Sequence, residues 1–529
     1  MPGRLAVDFG TSNTVLAVWD ESADEGIPLR VPDYGRVDPY SSEPITSIPS
    51  LIHYAEDGRI WIGDQVLSKT LEASNLTFRD MKRYISLRSP VAKNVNGRKI
   101  THGDAGREFL SAVLAFAQAE LSIQDEEVVF TVPVEAFEHY VDWLTGVAES
   151  AGMPRFRLID EPSAAALGYA ANIQPNDVYL VFDFGGGTLD AAIVIIEGEV
   201  STSQGRRCRV LGKAGTDLGG ATIDHWLYQE VLRQNNLTSS DEEIQILTRQ
   251  LLSECEAAKM RLSFNDRADV TAMNHETGAV VAGDFTRSQF ETLLETNGAF
   301  KKINDTIRRA FKQAIEQGYD EENIKAVLMV GGSSLIPSVQ RLVKQRFGNE
   351  RVKLERPMDA VARGAAAFVA GVDFYDHIQH DYAIRHVSPK TADYDYRIIV
   401  KSGTPYPTSE PIAQLTVKST YEGQSQLGVA IFEIGEKRAG SEQAVELVFD
   451  PSGAARIMNI TADEAERRTR FWMNENTPTF LTADPPASQG ESRFQVEFNI
   501  DGIKRLLITA RDLRTSKLIL KDYAVIKLT

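Results

Sequence analysis

Cysteine is nearly absent: Cys208 and Cys255 are the two in 529 residues, too few for a disulfide framework or a thiolate metal centre. Both read as small apolar packing residues. No apolar run approaches membrane-spanning length, and Asp8 interrupts the one N-terminal stretch that could serve as a signal-peptide core. A cytoplasmic location is therefore expected. Excess positive charge is lacking too. Lys and Arg number 57 against 74 Asp and Glu, giving a formal net charge of −17 and a pI near 5.1. That balance argues against nucleic acid and against an anionic membrane surface as partners. What remains is 43% hydrophobic and 25% charged with no low-complexity tract, the composition of a folded chain long enough for more than one domain.

Residues 1–372 alternate strand-like and helix-like stretches, which predicts α/β architecture. The strand Val128 to Val132 precedes a helical pattern from Glu135 to Ala151, and Arg157-Leu158-Ile159-Asp160 precedes another from Ala164 to Ala171. Acids in the first turn open a long helix over Asp241 to Phe264. A second is expected over Thr286 to Gly318, interrupted near Asn297-Gly298. After Gly371 the helical period nearly vanishes. About seven short alternating segments follow: 396–401, 412–420, 427–434, 444–449, 493–500, 505–510 and 523–528, separated by turn residues. Such spacing predicts a β-sandwich. The stretch 463–470 is charged and helix-compatible, and 474–491, with Pro478, Pro485 and Pro486, is expected to be irregular.

Three strand-like runs end in small-residue turns suited to phosphate. Leu5 to Phe9 runs into Gly10-Thr11-Ser12-Asn13, Val178 to Phe182 into Asp183-Phe184-Gly185-Gly186-Gly187-Thr188-Leu189-Asp190, and Val327 to Val330 into Gly331-Gly332-Ser333. Glycine lets backbone N–H groups approach a polyanion that a Cβ would hold off. In the first two, an aspartate (Asp8, Asp183) stands near the strand end, placed to hold a hydrated Mg²⁺ without caging it. Two such turns far apart suggest a duplicated fold with nucleotide clamped between halves. Taken singly each motif is weak. Glu161 before Pro162 could simply be a helix-start acid, and Glu256 with Lys259 a solvated ion pair.

The order and spacing of these segments together resemble the Hsp70 family, within the actin, hexokinase and Hsp70 superfamily, over essentially the whole chain. The resemblance implies an α/β two-lobed actin-like (ribonuclease-H-like, duplicated) ATPase domain over 1–372. A linker over 373–380 and an all-β sandwich over 381–529 would follow, the sandwich binding unfolded or apolar polypeptide segments. Gly10, Thr11, Ser12 and Asn13 would form the first phosphate loop, and Gly185, Gly186, Gly187 and Asp190 the second. Asp8 and Asp183 would hold Mg²⁺ through water, Thr188 would lie by the γ-phosphate, and Glu161 in Asp160-Glu161-Pro162-Ser163 would orient the attacking water. Gly219, Gly220 and Asp224 follow the family's Leu-Gly-Gly pattern. Glu256 and Lys259 occupy the positions that hold the ribose hydroxyls, and Gly331, Gly332 and Ser333 with Pro337 the adenosine motif, while Arg363-Gly364-Ala365-Ala366 closes the domain. ATP or ADP with Mg²⁺ is the implied cofactor. The implied activity is an ATP-dependent chaperone, with co-chaperones and nucleotide exchange factors as further partner classes.

Four departures from the family pattern set further expectations. An ungapped count through Ile62-Gly63 and Lys82-Arg83 puts Leu67 where the family has its catalytic lysine, with Lys69 two residues away. Loss of such a donor costs about 10²–10³ in rate, so hydrolysis is expected to be slow, and a nucleotide-gated scaffold with negligible hydrolysis is the alternative. Met260 and Leu335 stand where arginines commonly flank the base. Pro133 matches the family's switch proline, but Val141 and Thr145 replace basic relay residues, and the connector offers Phe374, Tyr375 and Ile378 in place of leucines. No helical lid follows the last expected strand, which predicts fast peptide exchange and weak affinity.

Overall fold

A computed structural model describes residues 5–528 except 24, 38–44, 122–127, 134–137, 154–155, 170–175, 198–206, 371–377, 379, 388–393, 405, 407, 409, 435–444, 450–454, 460–469, 476–477 and 502–504. Most of the expected connector, and nearly all of the charged stretch 463–470, lie outside these. The chain forms two compact units: Met1–Val134, Trp143–Tyr375 and Arg438–Ala462 in one; Glu135–Asp142, Asp376–Lys437 and Asp463–Thr529 in the other.

In the first unit, one sheet runs in the order Phe156–Asp160, Val128–Val132, Leu5–Phe9, Asn13–Asp20, Thr46–Pro49, Arg36–Val37, with Glu25–Pro28 paired to Asn13–Asp20. A second runs Arg207–Thr216, Leu189–Glu197, Val178–Phe184, Ile324–Val330, Val352–Lys353. Both sheets use the same local plan. An antiparallel hairpin is flanked on its first arm by a parallel strand: Val128–Val132 beside Leu5–Phe9, and Ile324–Val330 beside Val178–Phe184. The first arms are apolar at nearly every position because helices cover both faces. The one incompletely buried position in each is its aspartate, Asp8 or Asp183.

Two helices cross between the sheets. Glu161–Gly168 packs chiefly on the second sheet, and Ala360–Val369 on the first. Their crossing is possible only without side chains: a Cβ on Gly168 would overlap the Ala360 carbonyl, and one on Gly364 the Ala164 carbonyl. Alanines on both helices complete an apolar cluster with Ala6, Val129, Val181 and Leu328. The expected helices appear as Glu242–Phe264, Arg287–Thr296 and Ala299–Glu316. The break comes at Gly298, whose φ of 74° is left-handed and suits glycine.

The second unit contains antiparallel sheets ordered Tyr394–Val400, Asp381–Val387, Ile431–Ile434, Arg470–Trp472 and Ala413–Lys418, Ser492–Ile500, Arg505–Asp512, Leu518–Lys527. Gln424–Val429 pairs separately with Thr479–Ala487. All three sheets contribute to one core, through Tyr382, Ile399, Leu427, Leu481, Phe494 and Ile508 among others. Two expectations change here. The stretch 427–434 is two strands, because the buried Asn474 side chain accepts from Ile431 N–H (3.0 Å) and donates to Val429 O (2.7 Å), taking the backbone groups on either side of Ala430. The supposedly irregular 474–491 contains the strand Thr479–Ala487. Its prolines sit where the register shifts between Gln426↔Thr482 and Gln424↔Ala487, a position that needs no N–H donor.

Candidate functional site

The hairpin turns of the two sheets meet. A Cβ on Gly186 would overlap Ser12 Oγ, and one on Gly187 would stand 3.2 Å from Thr11 Oγ1. Gly10 is equally constrained by the Asn13 carbonyl, and Ser50 Oγ donates to Gly10 O at 2.8 Å. The third turn docks on the same floor. Ser333 Oγ donates to Gly185 O at 3.0 Å, and Gly331, at φ 81°, leaves no room for a Cβ beside the Phe184 carbonyl. Gly219 packs on Gly187, Gly220 N donates to Gly185 O at 3.0 Å, and a Cβ on Gly220 would lie 2.8 Å from Lys259 Nζ. Four glycine-containing segments thus meet through backbone and small side chains.

Carboxylates gather beside these turns. Asp8 accepts from Thr131 Oγ1 at 2.7 Å. Its carboxyl is pushed up to about 6 by burial; Lys82 opposes the shift and Glu161 adds to it. Asp183 is raised well above the carboxylate range by burial and by Glu161, Asp190 and Asp8. Thr188 Oγ1 donates to Asp190 Oδ2 at 2.6 Å. Glu161 opens its helix next to the cap Asp160, whose side chain accepts from Ser163 N at 2.9 Å. It makes an ion pair with Lys82, and both side chains are largely buried. One ammonium among several crowded carboxyl groups leaves the cluster short of positive charge, a condition a divalent cation would relieve. Among the described residues, no group of three His, Cys, Asp or Glu side chains could cage a metal. Two carboxylates, fewer than a cage needs, are the kind of hard oxygen donors that would suit Mg²⁺, which keeps most of its hydration shell.

A lysine does meet Glu161, but from a position other than Leu67 or Lys69. Leu67 belongs to the short helix Asp64–Ser68, and Lys69 lies exposed over the Trp61 ring at 4.3 Å. The cation that reaches Glu161 is Lys82, from the helix Met81–Ser86. The ungapped count used Lys82 as an anchor and so could not assign it. Its neighbours Met81, Tyr84 and Ile85 are buried, and no periodicity separates a buried lysine from that apolar surface.

On the helix Glu242–Phe264, Glu256 and Lys259 do not pair with each other. Arg79 pairs with Glu256. Burial would raise this carboxyl, but Arg79 and Lys259 hold it below its usual value. Lys259 Nζ lies 2.8 Å from Asp224 Oδ1. Burial lifts the Asp224 carboxyl to about 7 against the pull of Lys259. Met260 is part-exposed and Leu335 half-buried. No helix among the described residues is long and apolar enough to cross a membrane.

A family model described as Hsp70 protein matches residues 5–445. The chain belongs to the Hsp70 family. It is 27% identical to the Chaperone protein DnaK of Deinococcus proteolyticus, covering 98% of this chain and 78% of that protein. It is 28% identical to the Chaperone protein DnaK of Deinococcus deserti, covering 94% and 79%. To the Chaperone protein HscA homolog of Polynucleobacter necessarius subsp. necessarius it is 28% identical, covering 83% and 69%. Nucleotide binding is a family property, and the converging turns belong to this Hsp70 member's own sequence.

Proposed function

We propose that this Hsp70 member is an ATP-dependent chaperone in which Mg·ATP binds between two lobes of an actin-like domain over 1–372. A connector over 373–380 would lead to a β-domain over 381–529 that holds unfolded or apolar polypeptide segments, and nucleotide state would bias that hold. The observation that carries the reading is the meeting of the Gly10–Asn13 and Gly185–Thr188 turns beside Asp8, Asp183 and the Lys82–Glu161 pair. Amides of the turns and the Thr11, Ser12 and Asn13 side chains would bind phosphate oxygens. Asp8 and Asp183 would hold Mg²⁺ through its waters, and the ion would neutralise charge on the phosphates. Glu161 would orient the attacking water, Thr188 would lie by the γ-phosphate, and Lys82 would stabilise the charge on the phosphoryl group as it transfers. Glu256, Lys259 and the Gly331–Ser333 turn would take the nucleoside. The scaffold reading drew on Leu67 at the lysine position and on Val141 in the relay, and Lys82 beside Glu161 takes away the first of these supports.

Single-turnover hydrolysis of pre-bound Mg·ATP, with and without an unfolded peptide, tests the proposal. Turnover that rises with peptide is expected; tight binding without turnover would sink it in favour of a scaffold.

A further inference from the structure

The Glu161–Gly168 helix has a second functional end. Immediately after it, Tyr169 directs its hydroxyl into the second sheet, donating to Met329 O at 2.9 Å and accepting from Arg356 N–H at 3.3 Å. Burial raises this phenol above its ordinary range, so the group stays protonated and can donate and accept at once. Its two partners lie on opposite sides of the third turn. Met329 is in the strand Ile324–Val330, two residues before Gly331. Arg356 precedes Pro357, whose carbonyl accepts from Gly331 N–H at 2.8 Å, and Met358 Sδ would sit 3.7 Å from a Cβ on Gly332. The Arg356 side chain also reaches Glu25 at 3.3 Å, on a strand of the first sheet.

We propose that Tyr169 is a positioning residue: its hydroxyl clamps the two segments flanking the Gly331–Ser333 turn to the end of the helix that begins at Glu161, and thereby sets how fast nucleotide leaves. The inference rests on the reading of that turn as the nucleoside wall. The helix is short and rigid, with Glu161 tied to Lys82 at one end and Tyr169 tied to the turn at the other. Displacement of the turn away from nucleotide must therefore break the hydroxyl's bonds or drag the helix with it. Glu161 keeps its own tie to Lys82 when the hydroxyl is removed, so the chemical step is spared.

The test uses the full chain and Tyr169→Phe, which keeps the ring against the alanine cluster. Release of radiolabelled ADP, chased by excess unlabelled ADP, is expected to accelerate about tenfold, as loss of two ordinary hydrogen bonds implies. Single-turnover cleavage of pre-bound ATP should stay within twofold. Arg356→Ala keeps the backbone N–H while losing the Glu25 pair and the long bond from Arg356 Nη1 to Gly168 O at 3.5 Å, and should accelerate release less than Tyr169→Phe does. Unchanged release in Tyr169→Phe overturns the proposal. So do release and cleavage shifting by the same factor, since that marks general loosening. A parent protein that retains no labelled nucleotide refutes the functional reading itself and this inference with it.

Discussion

Lys82→Met is the most discriminating perturbation of the site. Methionine matches the length of the lysine stem, so the helix Met81–Ser86 can keep its packing while Glu161 loses its cation. Two effects follow. A transferring phosphoryl group deprived of one preorganised charge should slow by about 10²–10³, roughly 3–4 kcal/mol of transition-state stabilisation. Breaking a buried ion pair would ordinarily cost about 3–5 kcal/mol of stability. Here the loss should be smaller, because an Asp8 carboxyl already at about 6 can take up a proton and relieve the cluster. Single-turnover cleavage of pre-bound Mg·ATP reads the first effect, and urea unfolding the second. Leu67→Lys, measured alongside, should bring no gain. A Lys82→Met protein that binds ATP and cleaves it within threefold of the parent rate would refute the reasoning. A large gain in Leu67→Lys would return the catalytic position to residue 67.

Asp183→Ala should abolish the Mg²⁺ dependence of nucleotide affinity while leaving the β-domain folded; affinity that still rises with Mg²⁺ would count against its role. Gly364→Ala drives a methyl into the Ala164 carbonyl, and because the obstacle is backbone the cost should reach at least about 3 kcal/mol, the top of the usual overpacking range. Chemical denaturation measures it, and a loss under about 1 kcal/mol would mean the crossing helices can separate freely. His102, stacked on Tyr84 with ring centroids 3.8 Å apart, is pushed down to about 3 by burial, with Lys93 adding to the shift. Its folded form resists a proton that the unfolded chain accepts near pH 6.5, so its contribution is complete above that pH and is lost as pH falls toward 3. The slope is up to about 1.4 kcal/mol per pH unit. His102→Phe should flatten the urea midpoint between pH 6 and pH 4 relative to the parent; identical slopes would show that His102 is not the titrating group.

Much of the frame was legible because local chemistry dictates it. Strand arms broken at one aspartate, glycine turns behind them and a glycine at the 297–298 break need no partner to be recognised. Tertiary structure alone decided which cation serves Glu161, since Lys82 and Glu161 are brought together by folding and a residue count cannot register that meeting. It also decided that Glu256 pairs with Arg79 and Lys259 with Asp224, whereas helical spacing suggested a pair between neighbours one turn apart. The strand at 479–487 was hidden by its prolines, which are harmless only because the register shifts where they fall. Asn474, in sequence the first of the polar run Asn474-Glu475-Asn476-Thr477, proves to be the wedge that divides one apolar run between two sheets. The sequence by itself determined the elements and their turns, because propensity, glycine stereochemistry and alternation act over a few residues. Which charges meet, and which hydroxyl closes the circuit from Glu161 to Gly331, are set by packing between segments far apart in the chain, and only the folded molecule contains them.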